Sequence, residues 1–174
     1  MKKNTLIIIV STVVLVLTLW LVMKDNIGIS EKNVESDARW SQNIPSDWNM
    51  AQSLGNGVVA MVFFPYDNSD CVYSIYIKRP GLCWGYFFRA GGTVSKIEEK
   101  IVSFSMEGYN EIVYLSMNKQ NVTSIVVDDG SNKNSFAVDN AKPFVFVLPN
   151  NAGNVLFYNI HGEIIECTQR TLPN

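Results

Sequence analysis

Histidine is nearly absent from this sequence, and His161 is the single one. A Ser-His-Asp or Cys-His arrangement would have to run through it. It stands beside Gly162 in an expected hairpin turn, where histidine, like Asn and Asp, tolerates positive φ. That reading is preferred to a catalytic one. One histidine also excludes a His-rich zinc site, and no C-x-x-C pair supplies a thiolate alternative. The G-x-S-x-G elbow and the G-x-x-x-x-G-K-S/T phosphate loop are both missing, so neither serine hydrolysis nor nucleotide hydrolysis has motif support. No catalytic residue and no cofactor is assigned.

Cysteine is scarce. Cys71, Cys83 and Cys167 allow at most one internal disulfide. Their pairing is not deducible from sequence, and all three serve equally well as small buried hydrophobes. Basic charge is also short. The formal net charge is −2, and beyond the first 23 residues twelve basic face sixteen acidic side chains, a net −4. Nucleic acid binding wants a basic face, so nucleic acid is not an expected partner.

One stretch lacks charge, glycine and proline altogether: Thr5 to Met23, TLIIIVSTVVLVLTLWLVM. As a helix rising about 1.5 Å per residue it matches a bilayer core of roughly 30 Å. It is too long for a cleaved signal, and Trp20 to Met23 fill the place of the small residues a signal peptidase needs. A lipoprotein signal fails because the first cysteine is Cys71. The run therefore reads as an uncleaved signal anchor, a single-pass transmembrane helix over 5–23. Lys2, Lys3 and the terminal amine precede it, whereas Lys24 is followed by Asp25, Glu31, Glu35 and Asp37. Basic flanks stay inside, so residues 1–4 are expected in the cytoplasm and the rest outside the cell membrane.

After the anchor, residues 24–42 are polar and mixed in charge and read as a stalk. In the next segment Ser46 and Gly55 are placed to cap and end a short helix on which Trp48, Ala51 and Leu54 would share a face. From Gly57 onward the pattern is that of strands: 58–64, 71–77, 83–89, 101–106, 112–117, 122–127, 144–148, 155–160, and a final hairpin over 163–167. The residues between them are turn formers, such as Lys78-Arg79-Pro80-Gly81 and Asn118-Lys119-Gln120-Asn121. A turn centred on Pro80 would set Cys71 opposite Arg89 and Cys83 opposite Ile77, too far apart for a disulfide between the two. Ser103 and Ser105 alternate with Val102, Phe104 and Met106, which suggests a sheet with one wet face. Glu98 and Glu99, between Lys96 and Lys100, read as a solvated stretch ahead of it. Short strands at near-regular spacing indicate an all-β antiparallel β-sandwich over 43–174.

The segment Pro143 to Ile165, PFVFVLPNNAGNVLFYNIHGEII, resembles the closing strands of immunoglobulin-like extracytoplasmic bacterial domains. The blocks Gly85 to Gly92 and Leu115 to Lys119 are similar to uncharacterised membrane-anchored proteins of Gram-positive bacteria. The resemblance implies an immunoglobulin-like ectodomain and brings no activity. The Cys…Trp…Cys spacing of antibody domains is absent.

Two functional readings follow. The aromatic block Trp84, Tyr86 and Phe88 with Arg89 has the composition of a recognition surface, because aromatics and arginine are enriched at interface hot spots. That makes the chain a binding module for a membrane or cell-envelope protein. The competing explanation is that these aromatics are core. An envelope hydrolase with paired carboxylates is the alternative, drawing on Asp67, Asp70, Glu107 or Glu111 and needing two of them about 5–10 Å apart. Asp67, Asp70, Asp128 and Asp129 also sit in oxygen-rich loops that could hold calcium, although the same residues are ordinary turn formers. Asn121-Val122-Thr123 matches the N-glycosylation pattern, which matters only in a eukaryotic source. A structural or immunity-type membrane protein is a third reading that sequence does not separate from the first.

Overall fold

The computed structural model describes residues 3–94 and 100–172. Lys2, Lys96, Glu98 and Glu99, on which two of the expectations above rest, lie outside them.

Helix α1 spans Lys3–Met23 and is apolar around its whole circumference. Its two inner threonine hydroxyls are folded back onto its own backbone, Thr12 Oγ1 donating to Ile8 O (2.9 Å) and Thr18 Oγ1 to Val14 O (2.8 Å). That leaves the helix surface hydrocarbon, long and apolar enough to cross a membrane.

The remainder is mostly β, with twelve strands in three four-stranded sheets among the described residues. The first sheet is a meander of β1 (Asn49–Leu54), β2 (Val58–Phe64), β3 (Val72–Ile77) and β4 (Phe87–Thr93). The central sheet has the order β12-β5-β6-β9, from Cys167–Leu172, Ile101–Met106, Glu111–Ser116 and Phe144–Pro149. The third has the order β11-β10-β7-β8, from Ile164–Ile165, Asn154–Asn159, Val122–Asp128 and Lys133–Ala137. Each pair of neighbouring strands is antiparallel except β5 and β12, which run parallel.

Strand alternation explains how the sheets stack. Val58, Ala60, Val62 and Phe64 of β2 face Val102, Phe104 and Met106 of β5, with Val113, Leu115, Val145 and Val147 of the same sheet. The opposite face of the central sheet presents Ile101, Tyr114 and Phe144 to Val122, Ile125 and Phe157 of the third. The central sheet is therefore covered on both sides. This is why strands such as 112–117 and 144–148 are apolar at successive positions, and why one sandwich interface does not account for them. Ser103, expected on a wet face, is buried at the second interface. The first and central sheets also meet along one edge, where Val147 N–H donates to Ser53 Oγ (2.9 Å).

The other face of the first sheet carries Val59, Met61, Phe63 and Tyr76, and a second helix covers it. Helix α2 spans Val34–Ser41 and buries Val34 and Ala38, one turn apart. Polar anchors complete the docking. Tyr76 Oη donates to Asp37 Oδ2 (2.6 Å) from the sheet beneath. Arg39 pairs with Glu35 (2.8 Å), donates to Pro45 O and Trp48 O, and lies 4.8 Å from the centre of the Phe63 ring. Burial followed by the Asp37 contact pushes the Tyr76 phenol upward. The polar stalk expected over 24–42 is thus folded onto the domain. Its polarity misled because much of its docking is hydrogen bonding.

Two further expectations change. The segment proposed as a helix over 46–55 forms β1, paired with β2 from Asn49↔Phe64 to Leu54↔Val59. The hairpin proposed around Pro80 is a nine-residue loop, 78–86, because the register sets Ile77 opposite Phe87. Cys71 consequently adjoins Val94, whose N–H donates to Cys71 O (2.6 Å).

All three cysteines are free thiols. Cys71 is buried, and burial pushes its pKa up to about 12. Thiolate is the reactive form. Burial also pushes the Cys167 thiol up, but that residue is exposed, so maleimide at pH 8 is expected to label Cys167 in the native protein and Cys71 only after denaturation. Labelling of native Cys71 at the rate of Cys167, read by mass spectrometry, would show that the interface between the first and central sheets is open.

Candidate functional site

The loop 78–86 is built between two constraints. At its start Lys78 N–H donates to Gly57 O (2.8 Å) at the β1–β2 turn. At its end it pairs with the segment that leaves α1. Trp84 N–H donates to Asn26 O (2.9 Å), Gly28 N–H to Trp84 O (2.6 Å), Ile29 N–H to Tyr86 O (2.8 Å) and Tyr86 N–H to Ile29 O (2.7 Å). The sulfhydryl of Cys83 adds a contact to Asn26 Oδ1 (3.4 Å). Gly85 permits this pairing. It has φ +83°, and a Cβ there would lie 2.7 Å from Ile29 O and 2.9 Å from Gly28 O.

An extended chain would set Trp84, Tyr86 and Phe88 on one face, but Gly85 interrupts the run and Tyr86 is drawn into the cluster that Ile29 joins. Trp84 is 54% exposed, Tyr86 3% and Phe88 49%. Tyr86 packs into the cluster beneath α2 and points its hydroxyl toward Glu31 (3.4 Å). Phe88 meets Tyr76 edge-on at 5.5 Å and keeps its other side in solvent. Arg89 stands at a register shift in β4, between the pairs Tyr76↔Phe88 and Ile75↔Ala90. Its charge acts on Tyr109, opposing part of the upward shift that burial gives that phenol. The four residues singled out in the sequence are therefore neighbours along the chain without forming one surface. Trp84 and Phe88 are accessible, Tyr86 is core, and Arg89 is half-buried at the register shift. Sequence reading missed Ile27 and Leu82, which are 60% and 81% exposed. An isolated Ile after an anchor and a Leu in a Pro-Gly loop gave no periodic signal. Their importance comes from pairing across 26–29 and 84–86.

The carboxylates fall in two groups, Asp67 with Asp70 and Glu107 with Glu111. Asp67 accepts from the hydroxyl and N–H of Ser69, and Asp70 from Cys71 N–H, in the loop after β2. Glu111 lies at the other end of that strand and accepts from Gly57 N–H (2.8 Å). The length of β2, roughly 20 Å at strand rise, separates the two groups. Glu111 lines a cleft of about 370 Å³ with Asn56 and Asn110 and is its only carboxylate among the described residues. Glu107 is exposed in the β5–β6 loop.

Asp128 and Asp129 are engaged within their own turn. Asp128 accepts from Gly130 N–H and pairs with Lys133 (3.1 Å), and Asp129 accepts from Ser131 and Asn132 N–H. These bonds favour the ionised form and lower both pKa values, as the Ser69 hydroxyl and N–H do for Asp67. The sign follows: what these bonds contribute is present at neutral pH and lost as pH falls through the depressed carboxylate range. Among the described residues no three His, Cys, Asp or Glu side chains converge to hold a metal ion.

His161 lies in the β10–β11 turn, its N–H donating to Asn159 Oδ1 (2.9 Å). Gly162, with φ +76°, takes the left-handed position that had been considered for the histidine.

In comparison with known proteins, no family model matches this chain, and neither a curated protein nor a solved structure does.

Proposed function

We propose that this chain is a single-pass membrane protein whose β domain is a binding module. In this reading α1 is an uncleaved signal anchor with its N-terminus in the cytoplasm. The domain stands outside the cell membrane and engages a membrane or cell-envelope protein. The resemblance of 143–165 to immunoglobulin-like closing strands supports the extracytoplasmic assignment. β9 and β10 lie in facing sheets, a connection that sandwiches make.

The observation that carries the binding role is Phe88. It is a large aromatic, half exposed, on the edge strand of the first sheet. Its inner side rests on Tyr76 of the neighbouring β3, and β2 beyond it is buried at every residue. A half-exposed aromatic backed by a packed sheet suits a hot-spot anchor. Arg89 follows it at the register shift.

A photo-reactive benzoylphenylalanine at position 88, irradiated in intact cells, is expected to give a discrete adduct with one protein. The same probe at Asn134, on the exposed strand β8, serves as the reference. Adducts at 88 no different from those at 134 would overturn the binding face.

A further inference from the structure

Three residues separate α1 from the β domain. Lys24–Asn26 form one 3₁₀ turn, and Asn26 already accepts from Trp84 N–H. At roughly 2 Å of rise per residue, this turn sets Trp84 about 6 Å beyond the end of the apolar helix. A bilayer of 40–45 Å with a hydrocarbon core of about 30 Å has an interfacial layer of roughly 5–8 Å on each side. If α1 crosses, the loop 78–86 is held at that depth by backbone hydrogen bonds.

Its side chains suit the layer. Ile27, Leu82 and Trp84 are the exposed apolar groups. Exposed cations rim them: Lys24 on the connecting turn, Lys78 at 5.0 Å from the centre of the Tyr86 ring, and Arg79 at 4.2 Å from that of Phe87. In a domain of net negative charge, this is a local basic and aromatic cluster next to a spanning helix. Tryptophan favours the headgroup region, and juxtamembrane Lys and Arg are attracted to anionic lipid. Other turns at this end of the sheets carry Glu107, Asn110, Asp128 and Asn150 instead.

We infer that the loop 78–86, with Ile27, is a second membrane contact: Leu82 and Trp84 lie among the headgroups of the bilayer that α1 crosses, and Lys78 and Arg79 meet lipid phosphates. The inference rests on the reading of α1 as a membrane span. It gives the domain a fixed pose on the lipid, with the membrane-side end of β4 at the surface.

The test uses the full chain in vesicles of phosphatidylcholine and phosphatidylglycerol whose acyl chains are brominated near the glycerol. Three forms each retain one tryptophan, the others being changed to Phe. Trp20 reports on the anchor and Trp84 on the loop. Trp48 lies beside Asn49, which pairs with Phe64 at the far end of β2, and serves as the distant control. Trp20 and Trp84 are expected to lose most of their emission and Trp48 to keep it. Quenched Trp20 with unquenched Trp84 overturns the loop contact and leaves the anchor standing. Unquenched Trp20 overturns the anchor and the contact with it. A benzoylphenylalanine at the exposed Leu82 site tests the loop without altering any tryptophan. A lipid adduct is expected, and a protein adduct in its place overturns the inference.

Discussion

Replacing Phe157 with alanine is expected to lower the unfolding free energy by about 3–5 kcal/mol. The ring is fully buried where the third sheet meets the central one, with its centre 5.3 Å from that of Tyr114 and 6.3 Å from that of Phe144. Val122, Ile125 and Phe157 are the residues of the third sheet that are buried in this interface, and the partly covered Phe136, Val155 and Ile165 add less. Domains of this size have about 5–15 kcal/mol in total, so the loss is a large share. Phe157→Leu keeps most of the volume and is expected to cost less than about 1.5 kcal/mol. Urea unfolding measures both. Amide exchange should show β7 and β10 losing protection before β2 and β3. An alanine variant within about 1 kcal/mol of the parent would mean that the third sheet is not held by this interface.

Asn118→Ala is expected to cost about 3 kcal/mol, through two effects. The residue is buried with φ +56°, a conformation that Asn tolerates better than Ala. Its side chain also closes the 118–121 turn. Oδ1 accepts from Val122 N–H (2.7 Å), while Nδ2 donates to Val122 O (3.1 Å) and to Asp139 O (2.9 Å). Alanine leaves those backbone groups unpaired where water does not reach them. Asn118→Gly relieves the backbone without restoring the bonds, so it should fall between parent and alanine. Equal stability of all three forms in urea would show that the turn is held by other contacts.

Where burial and local pattern coincide, the sequence was readable. β2 and β5 fall at their expected ends, because 58–64 is stopped by Pro65 and 101–106 alternates up to the Glu107-Gly108 turn. The 118–121 turn was legible from its two asparagines, both of which adopt positive φ. What stayed hidden depends on distant partners. β12, CTQRTL, is polar and joins the central sheet only by parallel pairing with β5. β8 has one large apolar residue, Phe136, which packs on Phe146 of another sheet. Trp48, Ala51 and Leu54 fit a helical period by coincidence while their backbone pairs with β2. The candidate site divides in the same way. Aromatic content marked 84–89 as unusual, but the docked segment 26–29 decides which rings are covered, and no local pattern shows that pairing.

The order of the strands along the chain has a consequence for biogenesis. The first sheet is a meander of four consecutive strands, and α2, synthesised just before them, already covers one of its faces. Its other face, with Val58, Ala60, Val62 and Phe64, must wait for β5, β6 and β9. β5 in turn has an open side until residues 167–172 arrive. During synthesis a half-covered apolar sheet would therefore persist while residues 101–172 were still to be made. Such a nascent form would depend on rapid elongation or on a holding chaperone to avoid pairing with its neighbours.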